Sequence, residues 1–196
     1  MAKPMRTFIA VELSESLESQ LTTLQQTLSR SIPGVKWVSR DNLHVTLLFL
    51  GDVDPRDTVM ICRTVQRVGS ELAPFTLTVE GLGCFPNLRR PRVLWAGLTT
   101  GAETLQRLHA EIEPAMLDLR GYRREDRPYT PHVTLGRIDG EHDSEVIQNA
   151  ISAKSTWHGG TCTINEILVM SSELTREGPI YTPIGRAPLT GTPTDD

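Results

Sequence analysis

Apolar residues alternate or recur at helical spacing along most of the chain, and the pattern sets out elements of two kinds. Residues 6–12, "RTFIAVE", are β-branched and apolar enough for a strand. From Ser14, a fitting N-cap, to Ser31, the leucines at 17, 21, 24 and 28 repeat at helical spacing, and Pro33-Gly34 closes the run. A strand is predicted at 43–50, ended by Gly51-Asp52, then a helix from Pro55 to Val68. Residues 75–82 and 92–98 alternate as strands, and a helix is expected from 101, interrupted or ended near Pro114. A strand at 132–138, a helix at 143–153, and a last strand pair, "CTINEILVM" and "GPIYTPIG", follow. The tail 189–196 is Pro/Thr-rich and expected to be disordered.

The order strand, helix, strand, helix, strand therefore occurs once over residues 6–82 and again over 92–170. At the same place in each half stands the same word. "NLHVTLLFL" (42–50) and "TPHVTLGR" (130–137) both contain His-Val-Thr-Leu, 88 positions apart. Chance recurrence of a given four-letter word in a chain of this length has odds of roughly a few in a thousand. The doubled order argues for a duplicated α+β unit. The expectation is one bilobal domain, 1–188, with a pseudo-two-fold axis, two antiparallel sheets lining a central cleft, and helices outside. Singly interleaved helices also suit a parallel doubly wound sheet, but no Gly-rich phosphate loop follows the first strand.

Side chains alternate along a strand, so His44 and Thr46 share a face opposite Leu43, Val45, Leu47 and Phe49. His132 and Thr134 share a face opposite Val133 and Leu135. If the halves are related by a two-fold axis, both polar pairs line one cleft. A neutral imidazole can take a proton from an attacking water while a protonated one gives a proton to a leaving oxygen, and an ordinary histidine pKa of roughly 6.5 makes both forms accessible. Thr46 and Thr134 can donate to non-bridging phosphate oxygens. Arg137 would add a charged, potentially bidentate contact. Strict alternation turns Arg137 to the apolar side unless Gly136 marks a bulge. Either histidine alone would read as a structural residue. A metal site fits poorly, because neither word holds a carboxylate. His109, His142 and His158 read as surface or capping residues.

Composition narrows the field. The 196-residue chain carries a formal charge of −4, against a protein that coats nucleic acid through bulk electrostatics but compatible with a local basic pocket. No secretory h-region and no apolar stretch of membrane-spanning length is seen. Cys62, Cys84 and Cys162, odd in number and without CxxC spacing, read as reduced thiols of a cytoplasmic protein.

The two H-x-T-x words, one per half, resemble those of the two-histidine (2H) phosphoesterase superfamily. Within it the chain is similar to the bacterial and archaeal RNA 2′,3′-cyclic phosphodiesterases, long labelled 2′-5′ RNA ligases. "RTFIAVEL" matches the opening strand, "VKWVSRDNLHVTLLFLGDV" the first motif, "GLGCFPNLRRPRVLWAGL" the central hairpin, "RPYTPHVTLGRI" the second motif and "LVMSSELTREGPIYTPI" the closing strands. The resemblance implies opening of a 2′,3′-cyclic phosphate at an RNA 3′ end, such as that of a tRNA fragment, to a 2′-phosphomonoester. It implies no metal or other cofactor. By carry-over, His44 is the general acid, His132 the general base, and Thr46, Thr134 and Arg137 hold the phosphate. Joining a 5′-hydroxyl end to a cyclic phosphate would use the same groups, a reversible 2′-5′ RNA ligase side activity. Candidates for stacking the terminal base are Phe85, Trp95 and Tyr129, with Phe49 expected to point into the core. Arg89, Arg90 and Arg92 could guide an RNA backbone, and a second basic cluster lies at Arg120, Arg123, Arg124 and Arg127. A cytoplasmic monomer with no membrane contact is expected. An RNA-end binder without turnover, and a phosphodiesterase for a small cyclic or 2′-5′ linked nucleotide, are the competing readings.

Overall fold

The computed structural model describes residues 3–140 and 143–192. His142 and residues 193–196 of the tail lie outside the described residues.

The strands form a single curled antiparallel sheet. In chain order they are β1 (Met5–Glu12), β2 (Val35–Trp37), β3 (His44–Val53), β4 (Phe75–Phe85), β5 (Val93–Leu98), β6 (His132–Ile138), β7 (His158–Ile164), β8 (Glu166–Thr175) and β9 (Gly178–Pro188). Their spatial order is β7-β4-β5-β6-β3-β1-β8-β9, with β2 pairing β6 off this path. At the middle, β3 meets β6 through one residue pair, Val45 and Val133. The two expected sheets are thus two four-stranded wings joined at that pair.

The wings are related about the junction, because β3-β1-β8-β9 reads outward as β6-β5-β4-β7 does. The halves 6–82 and 92–170 are not the wings themselves. The first half sends β4 into the second wing, and the second half ends in β8, which joins the first wing and is followed there by β9. The run read as one strand, 162–170, breaks at Asn165 into β7 and β8. These belong to opposite wings: β7 is the edge strand of the second, and β8 lies between β1 and β9 in the first. A continuous β-pattern does not show a crossing of this kind, since both sides of the break are equally apolar.

Among the described residues four α-helices cover the convex side. They are α1 (Glu15–Ser29), α2 (Thr58–Glu71), α3 (Ala102–Met116) and α4 (Ser144–Ser152). α1 starts where Ser14 accepts a hydrogen bond from Leu17 N–H at 3.4 Å, and buries Leu17, Leu21, Leu24 and Leu28. α2 begins at Thr58, after a turn in which the Thr58 hydroxyl donates to Pro55 O; Pro55 is therefore in the lead-in, not the helix. α3 runs through Pro114 to Met116. The proline removes one donor in the last turn, where the lost bond costs the helix little. α2 and α3 lie against the first wing, α1 and α4 against the second.

One core runs beneath both wings and includes Val45 and Val133, each fully buried. A smaller cluster, Phe8, Ala10, Leu168 and Met170 with Tyr181, lies on the other side of the first wing. The start of the tail is held in place: Leu189 is buried and its N–H donates to Asn165 O at 2.8 Å. No helix among the described residues is long and apolar enough to cross a membrane.

Candidate active site

The two histidine words meet at the centre of the sheet. With Val45 opposite Val133 in antiparallel sense, His44 lies level with Thr134 and Thr46 level with His132. The valines point into the core, so the two histidines and two threonines share the opposite, concave face. The repeated word is thus the structural junction of the wings and the place where four polar side chains converge.

Each imidazole is fixed in the same way. Nδ1 of His44 lies 2.7 Å from Asn42 O, and Nδ1 of His132 lies 2.7 Å from Thr130 O. A carbonyl only accepts, so Nδ1 carries the proton in both rings and Nε2 is the working nitrogen. Nε2 of His44 is 2.9 Å from the Thr46 hydroxyl, which donates to it when the ring is neutral. Aromatic rings brace both imidazoles. Phe8 is 5.1 Å from His44 and Tyr181 stands edge-on to it at 5.4 Å. Phe85 stands edge-on to His132 at 4.9 Å, with Trp95 at 6.1 Å.

This apolar bracing lowers both histidine pKa values, burial being the main cause in each. The backbone hydrogen bonds partly oppose it. His132 lowers His44 a little further, and Arg137 lowers His132, with Glu125 acting weakly the other way.

The expected redirection of Arg137 is present. Between β5 and β6, Leu94 pairs Gly136 but Trp95 pairs Thr134, so Leu135 is an extra residue. Arg137 is consequently exposed on the face of His132 and Thr134. Gly136 is required beside this bulge: a Cβ there would meet Val35 Cγ1 at 2.6 Å, because β2 crosses closely. Gln25, buried in α1, donates to Leu135 O at 2.8 Å and Val38 O at 2.9 Å, which holds the bulge from beneath.

The same irregularity occurs in the first word. Ile9 pairs Leu48 while Ala10 pairs Thr46, so Leu47 is the extra residue. Phe49, expected in the core, is therefore 43 % exposed. Alternation fails there because Leu47 and Leu48 are both buried in succession.

The remaining candidates are scattered in role. Tyr129 was expected to offer its ring to a base, but His109 covers one face at 4.5 Å, nearly parallel, and its hydroxyl donates to Thr46 O at 2.8 Å. It is a tie between the segment leading into β6 and the first histidine word. The same stacking places His109 in the packing, half-buried and not a surface or capping residue. Phe85 braces His132 and also touches Trp95 at 5.2 Å. Arg89 and Arg90 are exposed on the β4–β5 loop, where their backbone N–H groups both donate to Asn87 Oδ1. Arg92 donates to Gly140 O at 3.3 Å. In the second basic cluster Arg124 is committed to Glu113, buried beneath the loop, at 2.9 Å, and Tyr122 also donates to Glu113. Sequence reasoning missed Phe8 and Tyr181. They read as ordinary strand residues, and only the pairing of β1 with β3 and β8 brings them beside His44. Among the described residues no group of three or more His, Cys, Asp or Glu is placed to hold a metal ion.

Comparison with known proteins gives one consistent answer. The family model described as LigT like Phosphoesterase matches residues 11–95 and again 98–181, one segment for each half. The chain is 32 % identical over 180 residues to an RNA 2′,3′-cyclic phosphodiesterase of Aquifex aeolicus, covering 92 % of this chain and 95 % of that protein. It is 35 % identical over 178 residues to the protein of the same name from Methanothermobacter thermautotrophicus, covering 91 % and 95 %. Among solved structures, TT0787 of Thermus thermophilus superposes with a TM-score of 0.79 at 28 % identity, covering 95 % of this chain and 99 % of that one. E. coli LigT complexed with 3′-AMP superposes with a TM-score of 0.75 at 26 % identity and the same coverage.

Proposed function

The chain belongs to the LigT-like phosphoesterase family, and from that premise we propose that it is an RNA 2′,3′-cyclic phosphodiesterase in which His44 and His132 act on one phosphorus atom. The observation that carries this reading is the Val45–Val133 junction, which sets two Nδ1-anchored imidazoles and two threonines on one concave face.

Nε2 of neutral His132 takes a proton from a water molecule, whose oxygen forms a bond to phosphorus. The bond from phosphorus to the 3′ oxygen breaks, and that oxygen takes a proton from Nε2 of protonated His44. One water is consumed, and the products are a 2′-phosphomonoester and a free 3′-hydroxyl. Exchange with solvent returns a proton to His44 and removes one from His132. The hydroxyls of Thr46 and Thr134 and the guanidinium of Arg137 face the non-bridging oxygens, where charge grows in the transition state. The positions of the charges agree with this division of labour. Arg137 disfavours an imidazolium at His132, as suits a base. A bound phosphate raises both histidine pKa values by its negative charge, which supplies the proton His44 must give. These steps use side chains alone and call for no metal or other cofactor.

Tyr129 acts as a positioning residue through Thr46 O, and Phe85 braces the base. Arg89 and Arg90 draw an RNA backbone toward the cleft. Fragments of tRNA with cyclic-phosphate ends have the right chemistry as substrates, and a monomer suffices because one chain supplies both words. Joining RNA ends uses the same groups. A 5′-hydroxyl in place of water gives its proton to His132 and bonds to phosphorus, and the 3′ oxygen leaves with a proton from His44. The 2′-5′ diester formed is cleaved by the reverse of that step.

The test is to incubate an oligoribonucleotide ending in a 2′,3′-cyclic phosphate with the protein in EDTA and map the product. A 2′-phosphomonoester is expected. Unchanged RNA retained by the protein would mean a binder, and a 3′-phosphate would reverse the leaving group.

A further inference from the structure

Beyond the histidines, the concave face of the first wing carries a pair of side chains that the reaction above does not use. Phe49 is turned to this face by the bulge at Leu47 and is 43 % exposed. Arg6 of β1 lays its guanidinium over the ring, 4.8 Å from the centroid. Asp52 is the cross-strand partner of Arg6. Even so, the Arg6 side chain makes no ion pair or hydrogen bond with it, or with any other described residue. The ring therefore holds the guanidinium in place while its N–H donors stay open, the arrangement that suits a phosphate.

The pair is continuous with the site. Phe8, which touches His44, is the cross-strand partner of Phe49. Arg6 lies two residues, about 7 Å, further along the same strand, a length on the order of one nucleotide step. Tyr181, edge-on to His44, has its pKa raised by burial, and both Arg137 and Arg6 pull it back down. Two guanidinium charges, one from each wing, thus act on the same aromatic at the border of the acid.

We propose that Arg6 and Phe49 form a subsite for the RNA strand on the 5′ side of the cyclic-phosphate end. Arg6 holds the phosphodiester that joins the last two nucleotides, and the open part of the Phe49 ring carries the penultimate base. A mononucleotide reaches the histidines, the two threonines and Arg137, whereas a dinucleotide reaches the subsite as well. This assignment rests on the phosphodiesterase reading and sets its substrate class: a strand, not a free cyclic nucleotide.

The experiment compares 2′,3′-cyclic AMP with the adenosine dinucleotide ending in a cyclic phosphate, using wild type, Arg6→Gln and Phe49→Leu. For the dinucleotide, Arg6→Gln is expected to lower kcat/KM about tenfold through KM, and Phe49→Leu by a few-fold, while the mononucleotide changes less than twofold. A neutral methylphosphonate in place of the joining phosphodiester should cost wild type the same factor and Arg6→Gln nothing more. Equal losses on both substrates, or a full methylphosphonate penalty in Arg6→Gln, would overturn the subsite and leave the phosphodiesterase reading standing. If wild type turns over neither substrate, the phosphodiesterase reading has failed and the subsite falls with it.

Discussion

His44 and His132 stand in identical words, bond a carbonyl two residues upstream at the same 2.7 Å, and precede a bulge at the same offset. Their surroundings then diverge. Thr46 reaches Nε2 of His44, whereas no such bond joins Thr134 to His132. The bulge after the first word presents Phe49, and the bulge after the second presents Arg137. Duplication gives two equivalent imidazoles on one face, and substitution around them gives the two different surroundings. An acid and a base need different electrostatics. The cheapest place to create that difference is the first side chain beyond the bulge, which faces the cleft but carries none of the sheet's core.

The sharpest way to break the comparison is to remove either member. His44→Ala and His132→Ala should each lower kcat on cyclic-phosphate RNA about 10³-fold, within the usual range for a general acid or base. Thermal unfolding should stay near that of wild type, since neither ring belongs to the main core. A variant that keeps near-full turnover would show that its half is only structural.

Arg137→Gln should cost about a hundredfold in kcat/KM through the lost phosphate contact, and the pH profile sharpens the assignment. Arg137 holds the His132 pKa down, so removing it lets that pKa rise. If His132 is the base, its deprotonated form is the active one, and the acidic limb of kcat/KM moves to higher pH. Movement of the basic limb instead would make His132 the acid. Because burial lowers both histidines in the free protein, the wild-type kcat/KM bell should centre below pH 6.5, and the kcat bell, which reports the phosphate-bound state, should lie higher.

Thr46→Val and Thr134→Val should each cost about tenfold in kcat, on the scale of one hydrogen bond to a charged oxygen. The loss should be larger for Thr46, which also orients His44. Smallest is Tyr129→Phe, with about 1 kcal/mol lost in denaturant unfolding and a few-fold fall in kcat at constant KM. A KM effect there would restore Tyr129 as a substrate contact.

Much of this was legible in the sequence because it is periodic. The leucines of α1, the alternation around both histidines and the doubled order of elements need only local geometry. The glycine at 136 even announced the bulge that frees Arg137. The matching bulge in the first word has no glycine. Leu47 and Leu48 are both apolar and both buried, so nothing in the letters shows that alternation has slipped, and strict alternation puts Phe49 on the wrong face. The break at Asn165 was hidden for a related reason: strands on either side of it are equally apolar, though they end in opposite wings. Tyr129 illustrates a third limit, because its partners, Thr46 O and His109, are settled by a loop whose path has no period.

The central claim is that His44 protonates the leaving 3′ oxygen while His132 activates water. It is tested most directly by a substrate whose 3′ bridging oxygen is replaced by sulfur, a leaving group that departs without a proton. His44→Ala should recover most of its lost rate on the sulfur substrate, and His132→Ala should recover none. Rescue of His132→Ala instead, or an undiminished defect in His44→Ala, would contradict the assignment.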